Sequence, residues 1–77
     1  MKLYLALKTY NSFDHGELLH LHGVFSSADK AKNVLEKQTW FKNSKEVSPG
    51  GWYTYLGQDS VYFEIKECLV DEELYIG

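Results

Sequence analysis

Two stretches near the start of the chain alternate between apolar and polar residues, and a short polar segment joins them. The first is KLYLALKTY (residues 2–10) and the second is LLHLHGVF (residues 18–25). Successive side chains of a β-strand point to opposite faces, so a period of two indicates strands that bury one face each. The joining segment, NSFDHGE, is rich in turn-forming residues. The pattern therefore predicts a β-hairpin whose core side carries Leu3, Leu5 and Leu7.

In the second stretch, the same alternation predicts that successive side chains point in turn towards the core and towards solvent. It assigns Leu19, Leu21 and Phe25 to the core side. It assigns to the opposite side Leu18, His20, His22 and Val24.

A helix is predicted directly after the hairpin. Ser26 is a suitable N-cap, and the carboxylate of Asp29 suits the positive end of a helix dipole. Helical spacing then groups four apolar residues on one stripe: Ala28, Ala31, Val34 and Leu35. We expect a helix over residues 27–39, packed on a sheet through this stripe.

The second half of the chain predicts two further strands. WYTYL (52–56) is rich in β-formers, and VYFEIKECLV (61–70) alternates with Val61, Phe63 and Ile65 facing inward. Residues 40–51 show no sustained period and end in Pro-Gly-Gly, which predicts a long loop. The predicted fold class is therefore α+β, with the order β-β-α-β-β: one antiparallel sheet and one helix packed on one face.

The size and composition are those of one small globular domain over residues 1–77, with 44% hydrophobic residues. A single cysteine, Cys68, excludes an internal disulfide, which fits a reducing compartment. The first residues lack the pattern of a signal peptide, and no stretch approaches the ~20 apolar residues of a membrane span. We expect a cytoplasmic protein with no membrane partner.

The charge is distributed unevenly along the chain. Residues 1–50 carry seven lysines against five acidic residues, whereas residues 51–77 carry one lysine against six acidic residues. A net charge of −3 argues against a dedicated nucleic-acid binder, which usually has a basic face. Binding of single-stranded nucleic acid through open-face tyrosines and Lys8, Lys42 and Lys45 remains a minor alternative.

All three histidines lie within eight positions, and they raise the question of a metal site. Alternation places His20 and His22 on one face of the second strand, close enough to share an ion. Zinc sites, however, need three or four protein ligands, and the nearby sequence offers no second clear ligand pair. We therefore expect no metal and no cofactor.

Catalysis by a thiol–imidazole pair is the alternative function. Cys68 together with His20 or His22 would supply a nucleophile and a base, which Glu64 or Glu67 would orient. A domain of this size with one helix offers little depth for a water-excluding pocket. The Ser-Pro-Gly-Gly segment at 48–51 lacks the Lys-Ser/Thr of a phosphate-binding loop and predicts a turn. We expect no enzymatic activity.

A surface rich in tyrosine and histidine is the favoured candidate site. Tyrosine and histidine combine contact area with a polar tip, which suits protein interfaces. Tyr53 and Tyr55, or else Trp52 and Thr54, join this surface according to the register of the third strand. The predicted interaction surface lies on the sheet face away from the leucines and comprises Tyr4, Tyr10, His20, His22 and Tyr62, with Trp40 and Trp52 from the ends of the long loop.

Two motifs resemble those of a family of short, uncharacterised bacterial and phage domains. One is the helix entry Gly-Val-Phe-Ser-Ser at 23–27, followed by Ala31. The other is the closing strand pattern of Phe63, Ile65, Glu67, Leu69 and Asp71. The resemblance covers most of the chain but not its Trp-rich middle; it implies the fold and no activity.

Small proteins of this phage or mobile-element type often act by binding a host protein. The predicted function is accordingly a non-enzymatic protein-binding module, a phage or mobile-element accessory protein that modulates or inhibits a host protein such as a defence component. A second copy of the chain, giving a homodimer, is the other expected partner.

Overall fold

The computed structural model describes residues 2–69, which form a five-stranded antiparallel sheet with one helix on one face. Across the sheet the strands follow the order β2-β1-β5-β4-β3. The predicted α+β class, with a single antiparallel sheet and one helix, is confirmed. The elements are β1 (Lys2–Ser12), β2 (Gly16–Phe25), α1 (Ala28–Glu36), a 3-10 turn (Phe41–Asn43), β3 (Lys45–Ser48), β4 (Gly51–Leu56) and β5 (Asp59–Leu69).

The strand β3 and the 3-10 turn occupy the segment that the sequence predicts as a loop. Lys45 pairs with Tyr53 and Glu46 with Trp52 before the register shifts at a bulge. All four residues of β3 are exposed, so burial imposes no alternation on them. The element order is therefore β-β-α-β-β-β, with one edge strand more than predicted.

The helix α1 is shorter than the predicted range of 27–39. Its N-cap is Ser27, one residue later than predicted, and Ser27 Oγ accepts a hydrogen bond from the Lys30 backbone N–H at 3.3 Å. The chain leaves the helical direction before Trp40, whose φ of 76° lies in the left-handed region. A tryptophan rarely adopts this conformation, which costs about 1–2 kcal/mol and prevents a continuous helix from running through Trp40.

The helix covers the face of the sheet opposite to the one predicted. Ala31 and Leu35 pack against Ala6 of β1 and against Val61 and Phe63 of β5, and all five side chains are fully buried. The inward side predicted for β5 is right, but the register pairs Val61 with Tyr10 and Ile65 with Ala6, not with the leucines. The alanines at positions 6 and 31 let the helix and the sheet approach closely.

The leucines of β1 form a second cluster on the other side of the sheet. Leu5 and Leu7 are buried there with Cys68, and Leu3 and Leu19 pack against them. The expectation that the leucines face the helix is therefore wrong. Both sides of β1 are apolar enough to be buried, so its alternation locates two faces without showing which one meets the helix.

A β-bulge in β2 separates residues that strict alternation places together. Ala6 pairs with Gly23 but Leu7 pairs with Leu21, so His22 is the extra residue. Beyond the bulge the parity reverses. Val24 pairs with Leu5 on the leucine side, and Phe25 pairs with Tyr4 and packs on the helix side. The predicted positions of these two side chains are thus exchanged.

Asp59 connects the β1–β2 hairpin to the turn between β4 and β5. The Tyr10 hydroxyl donates a hydrogen bond to Asp59 Oδ2 at 2.6 Å, and the Phe13 backbone N–H donates to Oδ1 at 2.9 Å. These donors lower the pKa of the Asp59 carboxyl, and the hydrogen bond between Tyr10 and Asp59 raises the pKa of the Tyr10 hydroxyl.

No helix within residues 2–69 is long and apolar enough to cross a membrane.

Candidate functional site

The sheet face opposite the helix presents an extended apolar surface within the described residues. We call this the outer face. The register assigns to it the leucine cluster and three tyrosines: Leu3, Leu5, Leu7, Leu19, Leu21, Val24, Cys68, Tyr53, Tyr55 and Tyr62. Residues 2–69 contribute no second helix to this face. Monomeric proteins rarely leave a large apolar patch in water, so such a patch indicates a contact surface.

Exposure on the outer face increases from its centre towards the two edges of the sheet. Leu5 and Leu7 on the interior strand β1 are buried. On β2, by contrast, Leu21 and Val24 are 52% and 49% exposed, and on β4 Tyr55 is 75% exposed. The face thus has a packed centre, which holds its backbone in place, and apolar side chains available for contact on both flanks.

The three tyrosines form one patch on β4 and β5. The Tyr53 ring lies 5.0 Å from that of Tyr55 and 6.3 Å from that of Tyr62, and both pairs are T-shaped. Edge-to-face packing of this kind holds the rings in defined positions. Next to them, Tyr53, Tyr55 and Val47 border a shallow groove of ≈280 Å³. The Val47 side chain is 62% exposed.

Two charged residues separate the leucines from the tyrosines. Lys66 and Glu64 of β5 lie opposite Leu5 and Leu7 of β1, and both are half-buried. Near its middle, the outer face therefore combines apolar and aromatic contact area with both a positive and a negative group. Specific protein interfaces have this combination, in which polar groups fix the orientation of an apolar contact.

The predicted tyrosine and histidine surface is divided between the two faces. Tyr62 lies on the outer face as predicted, with Tyr53 and Tyr55, although it shares that face with the leucines. Tyr4 and Tyr10 instead pack against the core beneath the helix, so their predicted exposure on an open face is wrong. The register of β5, which sets Val61 opposite Tyr10, is the cause.

The two tryptophans also belong to the helix side. Trp52 is buried against the core, and its ring lies 5.3 Å from that of Phe41. Trp40 is half-buried, 5.9 Å from the Tyr10 ring, and the Lys8 ammonium lies 5.0 Å from the centre of its indole. These rings close the edge of the core and offer little free contact area.

The histidines and the cysteine are not brought together. His20 lies opposite Lys8 on the helix side, whereas Cys68 lies opposite Leu3 on the outer face, so the sheet separates them. Within residues 2–69 no group of three His, Cys, Asp or Glu side chains is placed to hold a metal ion. The thiol–imidazole pair of the enzymatic alternative has no geometric support.

His22 occupies an environment that favours its neutral form. Its Nε2 atom is buried and has no hydrogen-bond partner in the described part of the chain. Burial, followed by the charges of Lys8 and His20, lowers the pKa of His22. The His20 ring lies 6.4 Å away. Each neighbour therefore opposes a positive charge on the bulge residue.

We expect acid to destabilise the fold through His22. Its folded-state pKa is below its unfolded value of about 6.5, so the unfolded chain binds more protons between these two values. Stability is therefore complete above about pH 6.5 and falls as the pH decreases towards the folded-state pKa. Urea denaturation at pH 7.5 and pH 5.5 is the measurement, with an expected loss of stability at the lower pH.

His22→Gln, which cannot titrate, is expected to reduce this loss, whereas His20→Gln serves as the matched control on the same strand. The Asp59 carboxyl does not interfere, because its lowered pKa places its titration below this pH range. An equal loss of stability in wild type and in His22→Gln would contradict the assignment.

The helix side offers a groove of mixed charge between α1, the 3-10 turn and β4. Its volume is ≈480 Å³, and Trp52 is one of the residues that line it. Lys32 and Lys42 border it together with Glu36 and Glu46, so no single sign of charge dominates.

The Ser48–Gly51 segment forms the turn between β3 and β4, as predicted, and the Gly50 carbonyl accepts a hydrogen bond from the Ile65 N–H at 2.8 Å.

The exposed apolar residues of the outer face are the ones that sequence reasoning missed as contact residues. Leu19 and Leu21 match a core pattern, and the bulge hides the position of Val24. The available signal was the apolar character of both sides of β1, which indicates a sheet buried on two sides.

Comparison of the chain with protein-family models, curated proteins and solved structures finds no match.

Proposed function

We propose that this chain is a non-enzymatic module that binds another protein through its outer face. The observation that supports the proposal most is the combination of a buried leucine cluster with exposed Leu21, Val24 and Tyr55 on the side of the sheet that no helix within residues 2–69 covers. Large side chains on a backbone already fixed by packing lose little conformational entropy on binding, so their burial yields a net gain.

The chemistry of the face indicates the kind of partner. A complementary surface would present apolar side chains to the leucines and to the tyrosine patch. Between them it would present an acid for Lys66 and a basic or hydrogen-bonding group for Glu64. A host protein bound by a phage or mobile-element accessory protein is the partner class that the resemblance of the chain favours. Its action there would be inhibition or modulation by occupying a surface.

Affinity capture from cells that express the protein tests this proposal with two matched variants. Tyr55→Ser/Lys66→Glu truncates one exposed aromatic side chain and reverses one lysine on the outer face. Phe13→Ser/Lys30→Glu makes the same two changes at the hairpin tip and on the helix, where Phe13 is 70% exposed. Circular dichroism verifies that both variants fold.

Wild type and the helix-side variant are expected to capture the same protein, and the outer-face variant is expected to retain at least about tenfold less of it. This factor corresponds to about 1.4 kcal/mol, which the loss of one central interface contact supplies. Equal capture by both variants, or no protein above an empty matrix, would contradict the proposal.

A further inference from the structure

The described sheet has two edges that differ in their protection against pairing with another chain. An edge strand presents a row of unpaired backbone N–H and C=O groups, and natural proteins usually protect it by short length, charge, bulges or proline. β3 has all four features: four residues, a lysine and a glutamate, a register shift, and Pro49 directly after it. β2 is the other edge.

β2 lacks most of this protection. It is ten residues long, and Glu17 is its only residue with a formal charge at neutral pH. Its exposed apolar side chains are Leu18, Leu21 and Val24, at 53%, 52% and 49%. The bulge at His22 interrupts only the last part of the strand, so residues 16–21 remain regular.

We propose that β2 pairs with β2 of a second copy of this chain, antiparallel about a two-fold axis. The two sheets then form one continuous sheet of ten strands. Backbone hydrogen bonds across the junction satisfy the unpaired groups of both edges, and the outer faces of the two copies become one surface.

The sequence of β2 is complementary to itself in this arrangement. Opposite residues of an antiparallel pair share a face, so an axis centred on Leu19, His20 or Leu21 always sets one leucine of the outer face against another. In every one of these registers the two Glu17 carboxylates lie at least four residues, about 13 Å, apart along the sheet. No like charges meet at neutral pH.

The protection of β3 explains why the association would stop at two copies. Pairing of β2 with β3 of another copy would be head-to-tail and would continue into an open polymer. The short, charged and bulged β3 opposes that contact, whereas two-fold pairing uses both β2 edges and closes. The inference concerns backbone pairing at the edge of β2 between two copies, whereas the proposed function concerns contact with a different protein, so the inference goes beyond the proposed function.

Sedimentation velocity over a range of concentrations tests the inference with two lysine variants. Leu21→Lys sets a charged, flexible side chain at the centre of the proposed junction. Val47→Lys makes an equivalent change at an exposed apolar residue of β3, the opposite edge. Wild type and Val47→Lys are expected to dimerise, and Leu21→Lys is expected to raise the dimer dissociation constant at least about tenfold.

A wild-type monomer at every concentration up to about 1 mM, or equal dimerisation of wild type and Leu21→Lys, would overturn the inference. Loss of the dimer in Val47→Lys instead would also overturn it, because it would place the contact at β3. These outcomes are distinguishable from a failure of the proposed function, because that function is tested at Tyr55 and Lys66, which lie on β4 and β5 and not on β2.

Discussion

Replacing Phe63 with alanine is expected to leave most of the protein unfolded at room temperature. Phe63 lies in the middle of β5, between β1 and β4, and its side chain is fully buried. Its ring contacts that of Phe41 edge-on, with 5.2 Å between the ring centres. Removing a buried phenylalanine costs about 3–5 kcal/mol, which is close to the whole stability of many domains of this size.

Urea denaturation followed by tryptophan fluorescence measures this effect, because Trp52 packs in the same core. The matched control is Phe13→Ala at the exposed hairpin tip, which is expected to change stability by less than about 0.5 kcal/mol. A cooperative transition at the wild-type midpoint in Phe63→Ala would contradict the placement of the core under the helix.

Leu35→Ala is expected to have the second-largest effect, about 2–5 kcal/mol. The helix has only nine residues, too few to be stable alone in water, so packing must hold it in place. Leu35 and Ala31 are its two buried residues, and Leu35 supplies nearly all of the buried side-chain volume. Without it, α1 loses most of its attachment to the sheet.

Leu19→Ala on the outer face is the control for this prediction, because it removes the same side chain from a half-buried position without a helix over it. Thermal unfolding followed by circular dichroism at 222 nm, the standard helix signal, compares the two variants. Leu35→Ala is expected to lower the midpoint more than Leu19→Ala. The reverse order would indicate that the helix covers the leucines after all.

The order of the main elements was predictable because each follows a strong local pattern. Alternation in the first 25 residues specifies a hairpin, and the serine cap with the spacing of Ala31 and Leu35 specifies a helix. The inward-facing side of β5 was predictable because the residues on its other side are less apolar than Val61 and Phe63. These signals come from residues close together in the sequence.

The face that the helix covers was not predictable from local pattern. β1 carries Tyr4, Ala6 and Tyr10 on one side and leucines on the other, and hydrophobicity favours the leucines. Close approach of a helix, however, requires small residues, and Ala6 opposite Gly23 supplies them. Shape, not hydrophobicity, therefore determines the outcome here.

The candidate site was predictable only in part, for the same reason. Tyr53, Tyr55 and Tyr62 form a patch on the face away from the helix. Parity within β4 groups Tyr53 with Tyr55, but only the register between β4 and β5 shows that this pair, and not Trp52 and Thr54, joins Tyr62. To place Tyr4 and Tyr10 correctly, one would have to know the register between strands that are distant in the sequence. No local sequence pattern gives that register. The bulge at His22 exchanged the faces on which Val24 and Phe25 lie. The bulge residue itself is neither glycine nor proline, so the sequence did not mark it.

Hydroxyl-radical footprinting is the most direct test of the central claim that the outer face binds a protein. It compares side-chain accessibility in the purified protein with that in an extract of cells that express it. Tyr55 and Val47 are expected to lose reactivity in the extract, whereas Phe13, similarly exposed on the hairpin tip, is expected to keep it. Unchanged reactivity of Tyr55 and Val47, or protection confined to Phe13 and the helix, would contradict the claim.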